Sequence, residues 1–371
     1  MGIIYREKNR YCSFPHIVNV DGKLIAVFRR ASKFSVEAAL NGVHTHHDPD
    51  SEICMIESYD NGDSWDIDTF KIIYKSEYGV NDPSITLLSN GDLILRFVAL
   101  KISHSENFKK TNKFLFSHRS EHGLVAEVVN NLALISKNNG KDWEELGELK
   151  CDEIGPSCSR DPIVQLDDGS LVAPVYTGAP QRSDISWLIR SFDNGVIWCS
   201  PTVIAIDQAG EFSQMHGINF NETSVISNGN GDLIALIRGD EAFVTEDQFM
   251  PVGGIGKLYI SRSLDGGLCW SKPADTGIFG QPGQIQKLKD NSGYLITFGY
   301  RKKPFGVRAL VLDLDFKRIS DKDFIIEEGF PSWDCGYPFS LEIENNLIIT
   351  VYYANEESGE RFIKYKKWKL D

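Results

Sequence analysis

A chain of 371 residues is long enough for two or three ordinary domains, and with 42% hydrophobic and 11% aromatic residues it can bury a large core. Its 52 acidic and 39 basic side chains leave a formal charge of −13, so no basic face is offered to nucleic acid or an anionic membrane, and an anionic ligand needs its own local arginines. The seven cysteines are scattered, odd in number and without a C-x-x-C pair, which fits reduced thiols rather than a disulfide framework or a zinc site. Met1 to Lys8 carries charges where a secretory leader needs an apolar stretch, and no apolar run reaches membrane-spanning length. The expected location is therefore the cytoplasm.

In chain order, the first unit is an apolar strand, a turn and a second apolar strand, Phe14 to Arg29 around Asp21-Gly22. An insertion over residues 31–51 follows, carrying Phe34, His44, His46, His47, Asp48 and Asp50, with a short helix expected around Val36 to Leu40. Next come Ile53 to Ser58, a turn closing at Trp65, and Thr69 to Tyr74. The hairpin recurs as Ser84 to Val98 around Asn90-Gly91, Ile163 to Tyr176 around Asp168-Gly169, and Thr223 to Arg238 around Asn230-Gly231. After a second insertion over 240–256 it returns as Ile285 to Tyr300 around Ser292-Gly293 and Phe339 to Tyr352 around Asn345-Asn346.

Between hairpins an eight-residue frame repeats: Ser58 to Trp65, Ser136 to Trp143, Ser191 to Trp198 and Ser263 to Trp270. In each, Ser ends an apolar run, Asp (Asn138 in one copy) follows two residues on, Gly two later, and Trp closes the frame. A short polar side chain accepts from backbone N–H groups ahead, Gly takes a positive φ, and the aromatic packs back onto the apolar layer. Leu312 to Phe316 is a relic without Gly or Trp. Six hairpins predict six blades, the last one strand short after Phe362 to Leu370, and Ile3 to Arg6 is the natural donor of the missing strand.

This frame resembles the Asp-box, or BNR repeat, and the chain resembles the sialidase-like propellers. The resemblance implies an all-β fold: one six-bladed β-propeller domain of four-stranded antiparallel blades spanning residues 1–371. It further implies a retaining exo-glycosidase acting on a terminal acidic sugar, with a carbohydrate partner and no cofactor. In such enzymes a Glu activates a tyrosine nucleophile and three Arg hold the substrate carboxylate. Here Glu222 and Arg238 match the Glu and one Arg, and Tyr337, in Asp334-Cys335-Gly336-Tyr337-Pro338, matches the tyrosine. Arg308 matches a further Arg, with Arg301 as its competitor. A neutral phenol suits an anomeric carbon bearing a carboxylate, which repels an acidic nucleophile. The acid is expected in the first insertion, at Asp48 or else Asp50, with His46 and His47 beside the substrate.

One departure concerns the Arg-Ile-Pro motif that opens the sialidase first blade, which here reads Ser13-Phe14-Pro15. Arg29, Arg30 or Arg160 are the candidates to refill the missing charge. Read without the resemblance, Glu222 and Arg238 are a hairpin-end salt bridge and Tyr337 a packed aromatic. His44, His46, His47 and Asp48 have a spacing that could ligate a metal, but no distant partner set accompanies them, and solvated or substrate-contacting histidines are the preferred reading. The rival functions are a carbohydrate-binding propeller without turnover, and a glycosidase or lyase of uronic or deoxy sugars on the same scaffold.

Overall fold

The computed structural model describes residues 1–42, 46–104, 106, 123–179, 182–207, 216–244 and 249–370. Strand β1 (Gly2–Tyr5) is followed by β2 (Tyr11–Val20), β3 (Lys23–Ala31), helix α1 (Lys33–Leu40), β4 (Glu52–Ser58) and β5 (Asp66–Tyr74). Then come β6 (Gly79–Leu87), β7 (Leu93–His104), β8 (Leu124–Ser136) and β9 (Glu144–Glu148). The next four are β10 (Val164–Gln165), β11 (Leu171–Ala179), β12 (Arg182–Ser191) and β13 (Cys199–Ala205). They lead to β14 (His216–Gly229), β15 (Asp232–Val244), β16 (Phe249–Ser263) and β17 (Ala274–Phe279). The last are β18 (Gly283–Lys287), β19 (Tyr294–Tyr300), β20 (Phe305–Leu312), β21 (Phe324–Phe330), β22 (Gly336–Glu344), β23 (Leu347–Asn355) and β24 (Arg361–Lys369).

These strands form a β-propeller of four-stranded antiparallel blades, with one correction to the expected count. Four blades stand as separate sheets, β6 to β9, β10 to β13, β14 to β17 and β18 to β21. The other eight strands make one sheet, in the order β22-β23-β24-β2-β3-β4-β5 with β1 also on β24. Its two halves are joined by a single parallel pairing of Tyr11 with Arg361. The join is held from outside the ladder, because the Asp334 carboxylate accepts from both the Tyr11 hydroxyl and the Arg361 guanidinium. β1 runs antiparallel to β24, pairing Gly2 with Tyr365 and Ile3 with Lys364.

Apolar side chains alternate along the strands and fill the spaces between neighbouring sheets rather than one common core. Val20, Ile25 and Val27 of the first hairpin pack on Val80, Ile85, Leu93 and Leu95 of the next. The repeated turn frames clamp these interfaces. In Ser191 to Trp198, Ser191 Oγ accepts from Gly195 N at 2.9 Å, Asp193 Oδ1 accepts from Ile197 N at 2.8 Å, and Trp198 Nε1 donates to Gly195 O at 2.9 Å. Gly195 has φ +91°, and a Cβ there would lie 3.2 Å from Leu146 Cδ2 of the preceding blade. A larger residue would therefore face both strain and crowding. The relic turn works without Gly: Asp313 Oδ1 accepts from Lys317 N at 2.8 Å, and Phe316 stacks on Tyr294.

The first strand of each hairpin lies innermost, β2 against β6 and β22, β14 against β18, and β18 against β22. Four of these strands break register at the same place, between Ser13 and His16, Asn81 and Ser84, Asn221 and Ser224, and Gly336 and Phe339. The residue inside each break has positive φ: Phe14 at 54°, Asp82 at 48°, Glu222 at 32° and Tyr337 at 47°. Bulges re-aim side chains, and non-glycine residues held at positive φ store strain that neighbouring packing must offset.

Candidate functional site

Glu222 and Tyr337 come from different sheets and meet at the centre. Burial raises the energy of an unpartnered carboxylate, so each partner of Glu222 matters. Tyr337 Oη donates to Glu222 Oε1 at 2.7 Å, while Arg238 Nη1 lies 2.5 Å from Glu222 Oε2 and 3.4 Å from Tyr337 Oη. Arg238 reaches this point because its Cα pairs with Asn221, the residue before the bulge, and its Nε lies 2.8 Å from Asp240 Oδ2. Burial pushes the Glu222 carboxyl upward, but the Arg238 charge and the Tyr337 hydroxyl outweigh it and hold it below the usual carboxylate range. Burial, then the Glu222 charge, push the Tyr337 phenol well above its ordinary value. The pair is therefore a protonated phenol hydrogen-bonded to an ionised carboxylate.

Cations surround the phenol. The guanidinium carbon of Arg160 lies 5.5 Å from the Tyr337 ring centroid and that of Arg301 lies 5.7 Å from it. Arg160 Nη2 donates to Pro338 O at 2.7 Å and its Nη1 lies 3.0 Å from Asp161 Oδ2, which ties the bulge of β22 at Tyr337 to the segment before β10. Arg301 Nε donates to Gln281 O at 3.1 Å and its Nη1 to Trp333 O at 2.7 Å. Behind Tyr337, the Phe14 ring lies 4.7 Å away, and His46 packs edge-on against Phe14 at 4.8 Å. Asp334 anchors the approach to Tyr337: it accepts from Tyr353 Oη at 2.8 Å, pairs with Arg361 at 3.0 Å and lies 3.4 Å from His46 Nε2. Burial depresses the His46 imidazole, partly opposed by the Asp334 carboxylate.

Other expected site residues fall elsewhere. Asp48 is wholly buried as part of the N-terminal cap of α1, not in the Tyr337 cluster. Its Oδ2 accepts from Ser32 N at 2.9 Å, Ser32 Oγ at 2.8 Å and Ser35 Oγ at 2.8 Å, and its Oδ1 from Asp50 N at 2.9 Å. Four donors thus engage its two oxygens and tie it to the helix cap. Asp50 is exposed, and His47 is buried beside Asp48. His44 lies outside the described residues. Arg308 points to the rim, stacked on Tyr300 at 3.6 Å and paired with Asp323 at 3.5 Å and Glu328 at 3.4 Å. Arg30 pairs with Glu7 and Glu52 at the end of β3. Among the described residues no group of three or more His, Cys, Asp or Glu is placed to hold a metal ion.

The Ser13 departure acquires a geometric account. Ser13 pairs with Arg29 across the first hairpin just as Asn221 pairs with Arg238 across the fourth. Arg29 is fully buried, its Nη1 3.5 Å from Ser13 Oγ, with Nε donating to Val80 O at 3.0 Å and Nη2 to His46 O at 2.9 Å. Arg29 thus fills the space beside Ser13, but backbone carbonyls engage its donors.

Sequence reasoning passed over Asp82. It lines a recess of about 10 Å³, room for one water, together with Phe14, His16, Arg160, Asp161 and Tyr337. The missed signal is a repeat: Phe14-Pro15, Asp82-Pro83, Asp161-Pro162 and Tyr337-Pro338 open four hairpins, and Glu222-Thr223 stands at the same place in another.

The fold has solved counterparts. A protein of unknown function from Dyadobacter fermentans is similar over 100% of this chain and 97% of its own, at TM-score 0.80 and 24% identity. A mutant of the NanB sialidase from Streptococcus pneumoniae is similar over 99% of this chain and 70% of its own, at TM-score 0.64 and 14% identity. A Trypanosoma rangeli sialidase is similar over 98% of this chain at TM-score 0.60 and 16% identity, and this chain spans 56% of its length. These likenesses establish a sialidase-like fold. No curated protein matches the chain. The BNR repeat-like domain family matches residues 107–298, just over half of the sequence, and the chain belongs to that family.

Proposed function

We propose that this protein is a retaining exo-glycosidase acting on a terminal acidic sugar, with Tyr337 as nucleophile and Glu222 as its base. One observation carries the reading: a buried phenol donates at 2.7 Å to a carboxylate that Arg238 holds in its ionised form. A hairpin-end salt bridge needs no tyrosine from another sheet, whereas nucleophilic catalysis needs both. As Tyr337 Oη attacks the anomeric carbon, its proton passes to Glu222, leaving a tyrosyl glycoside for water to hydrolyse. In this reading Arg238 and Arg301 bind an anionic substituent, and Arg160 supports the bulge that carries Tyr337. The recess beside Tyr337 is too small for a sugar ring, so the ring would lie over it.

The Trypanosoma rangeli sialidase is described as a covalent intermediate with 2,3-difluorosialic acid, which suggests the test. Fluorinated, activated sialic, uronic and deoxy-sugar glycosides are incubated with the protein, and mass spectrometry locates the adduct. An adduct on Tyr337, absent in Tyr337→Phe, supports the reading. Wild-type turnover of any aryl glycoside retained in Tyr337→Phe would remove it. Saturable sugar binding without turnover or adduct would favour a carbohydrate-binding propeller, a reading that the small recess also supports.

A further inference from the structure

We infer that Asp82 is the catalytic acid that protonates the leaving oxygen, the role that Asp48 is not placed to fill; this rests on the glycosidase reading above. Asp82 occupies in β6 the bulge position that Glu222 occupies in β14 and Tyr337 in β22, with the same positive φ. It borders the recess beneath Tyr337, and its Oδ1 is buried without a hydrogen-bond partner among the described residues. An orphaned buried carboxyl oxygen at a strained position costs the fold stability, and such features concentrate at functional sites.

The electrostatics agree with the geometry. Burial, and after it the Glu222 charge, raise the Asp82 carboxyl to about 7, while Arg96, Arg160 and Arg29 pull the other way. His16, Asp161 and Tyr337 also face it across the recess. Glu222 is held ionised by Arg238, so two carboxyls in one site are driven apart, one to act as base and the other to carry a proton. Asp184 is also raised to about 7, but it belongs to the third strand of its sheet, takes a 3.1 Å hydrogen bond from Asn221 Nδ2, and does not border the recess.

The step balances. Tyr337 Oη bonds to the anomeric carbon as the bond to the leaving oxygen breaks. Glu222 takes the phenol proton and Asp82 gives its proton to the departing oxygen. Water then attacks the tyrosyl glycoside and gives a proton to Asp82, while Glu222 returns its proton to the leaving phenolate.

The test compares wild type, Asp82→Asn and Tyr337→Phe on dinitrophenyl and alkyl glycosides of the same acidic sugar. Asn tolerates positive φ, so the fold is expected to survive, and Asp82→Gly is the second variant. Asp82→Asn should lose roughly 10²–10⁴-fold on the alkyl glycoside and less than about tenfold in glycosylation by the dinitrophenyl one, with the alkaline limb of the pH profile removed. Azide should restore turnover of Asp82→Gly, giving a glycosyl azide of retained configuration, but not of Tyr337→Phe. Equal losses on both leaving groups, or no azide rescue, with Tyr337→Phe inactive, would overturn the Asp82 assignment and leave the nucleophile standing. Activity in Tyr337→Phe would instead remove the underlying reading. A measurement without turnover decides further: in ¹³C-carboxyl NMR, Asp82 should titrate near 7, and lower in Glu222→Gln, whereas an ordinary aspartate value unmoved by Glu222→Gln would overturn the inference.

Discussion

Replacing Asp48 by Ala tests whether that residue builds the scaffold or performs the chemistry. The carboxylate is wholly buried and accepts from Ser32 N, Ser32 Oγ, Ser35 Oγ and Asp50 N, so the change leaves four donors without their acceptor. Hydrogen bonds to a charged group contribute about 1.5–3 kcal/mol each, but four on one carboxylate do not add. Treated as one buried charge removed from its partners, the loss is about 3–5 kcal/mol. Asp48→Asn keeps the shape and one acceptor oxygen, so about 1–3 kcal/mol is expected. The disturbance should spread, since Ser51 Oγ donates to Asp48 O at 2.7 Å and accepts from Val80 N at 2.7 Å, and Val80 O in turn receives Arg29. Urea denaturation gives the stability change, and turnover of alkyl and aryl glycosides is then measured below the midpoint. The folded fraction should keep turnover within a few-fold, with an unchanged dependence on leaving group. An unaltered urea midpoint together with turnover lost only on alkyl leaving groups would refute this reasoning and make Asp48 the acid.

Glu222→Gln and Tyr337→Phe should each lower turnover by on the order of 10³-fold or more, and the double variant should be little worse than either, because both serve one step; multiplicative losses would assign them separate roles. Trp198→Ala should cost about 3–5 kcal/mol in urea unfolding, and Trp143→Ala less, since Trp198 is buried and bonded to Gly195 O whereas Trp143 is half-buried, its indole N–H without a partner among the described residues. Asp184, raised from 3.8 to about 7 by burial, binds a proton in the folded chain that the unfolded chain has released between those values. Stability should therefore fall as pH rises through that window, and Asp184→Asn should flatten the fall in unfolding measured at pH about 5 and about 8. Arg308→Ala should leave KM unchanged while Arg301→Ala raises it, and the reverse would restore Arg308 to the site.

The turn frames were legible because all their hydrogen bonds lie within eight consecutive residues. Glu222 and Arg238 were legible for a related reason, a hairpin that places its two ends together. Tyr337 is 115 residues from Glu222, and only the family resemblance linked them. Arg301 and Arg308 differ in radial position, which the sequence does not display: Arg301 follows the second strand of its sheet, whereas Arg308 is on the third, nearer the rim. Loop composition does not reveal that the hydrogen-bond partners of Asp48 come from a helix cap 13 to 16 residues earlier. Asp82 is marked in the sequence only by its place at the opening of a hairpin, where a residue before proline recurs.

The pairing of β1 with β24 fixes the order in which this protein can be assembled. Gly2 meets Tyr365 so closely that a Cβ on Gly2 would lie 2.8 Å from Tyr365 Cε1, and Arg6 is paired with Glu356 at 2.7 Å. Nearly the whole chain lies between these partners, and closing a loop of that length costs about 5 kcal/mol of chain entropy. The latch cannot form until β24 has been synthesised, so β1 stays without its partner strand while the intervening sheets are made. Release of β1 would free the β24 edge that it covers, in the same sheet that carries Tyr337.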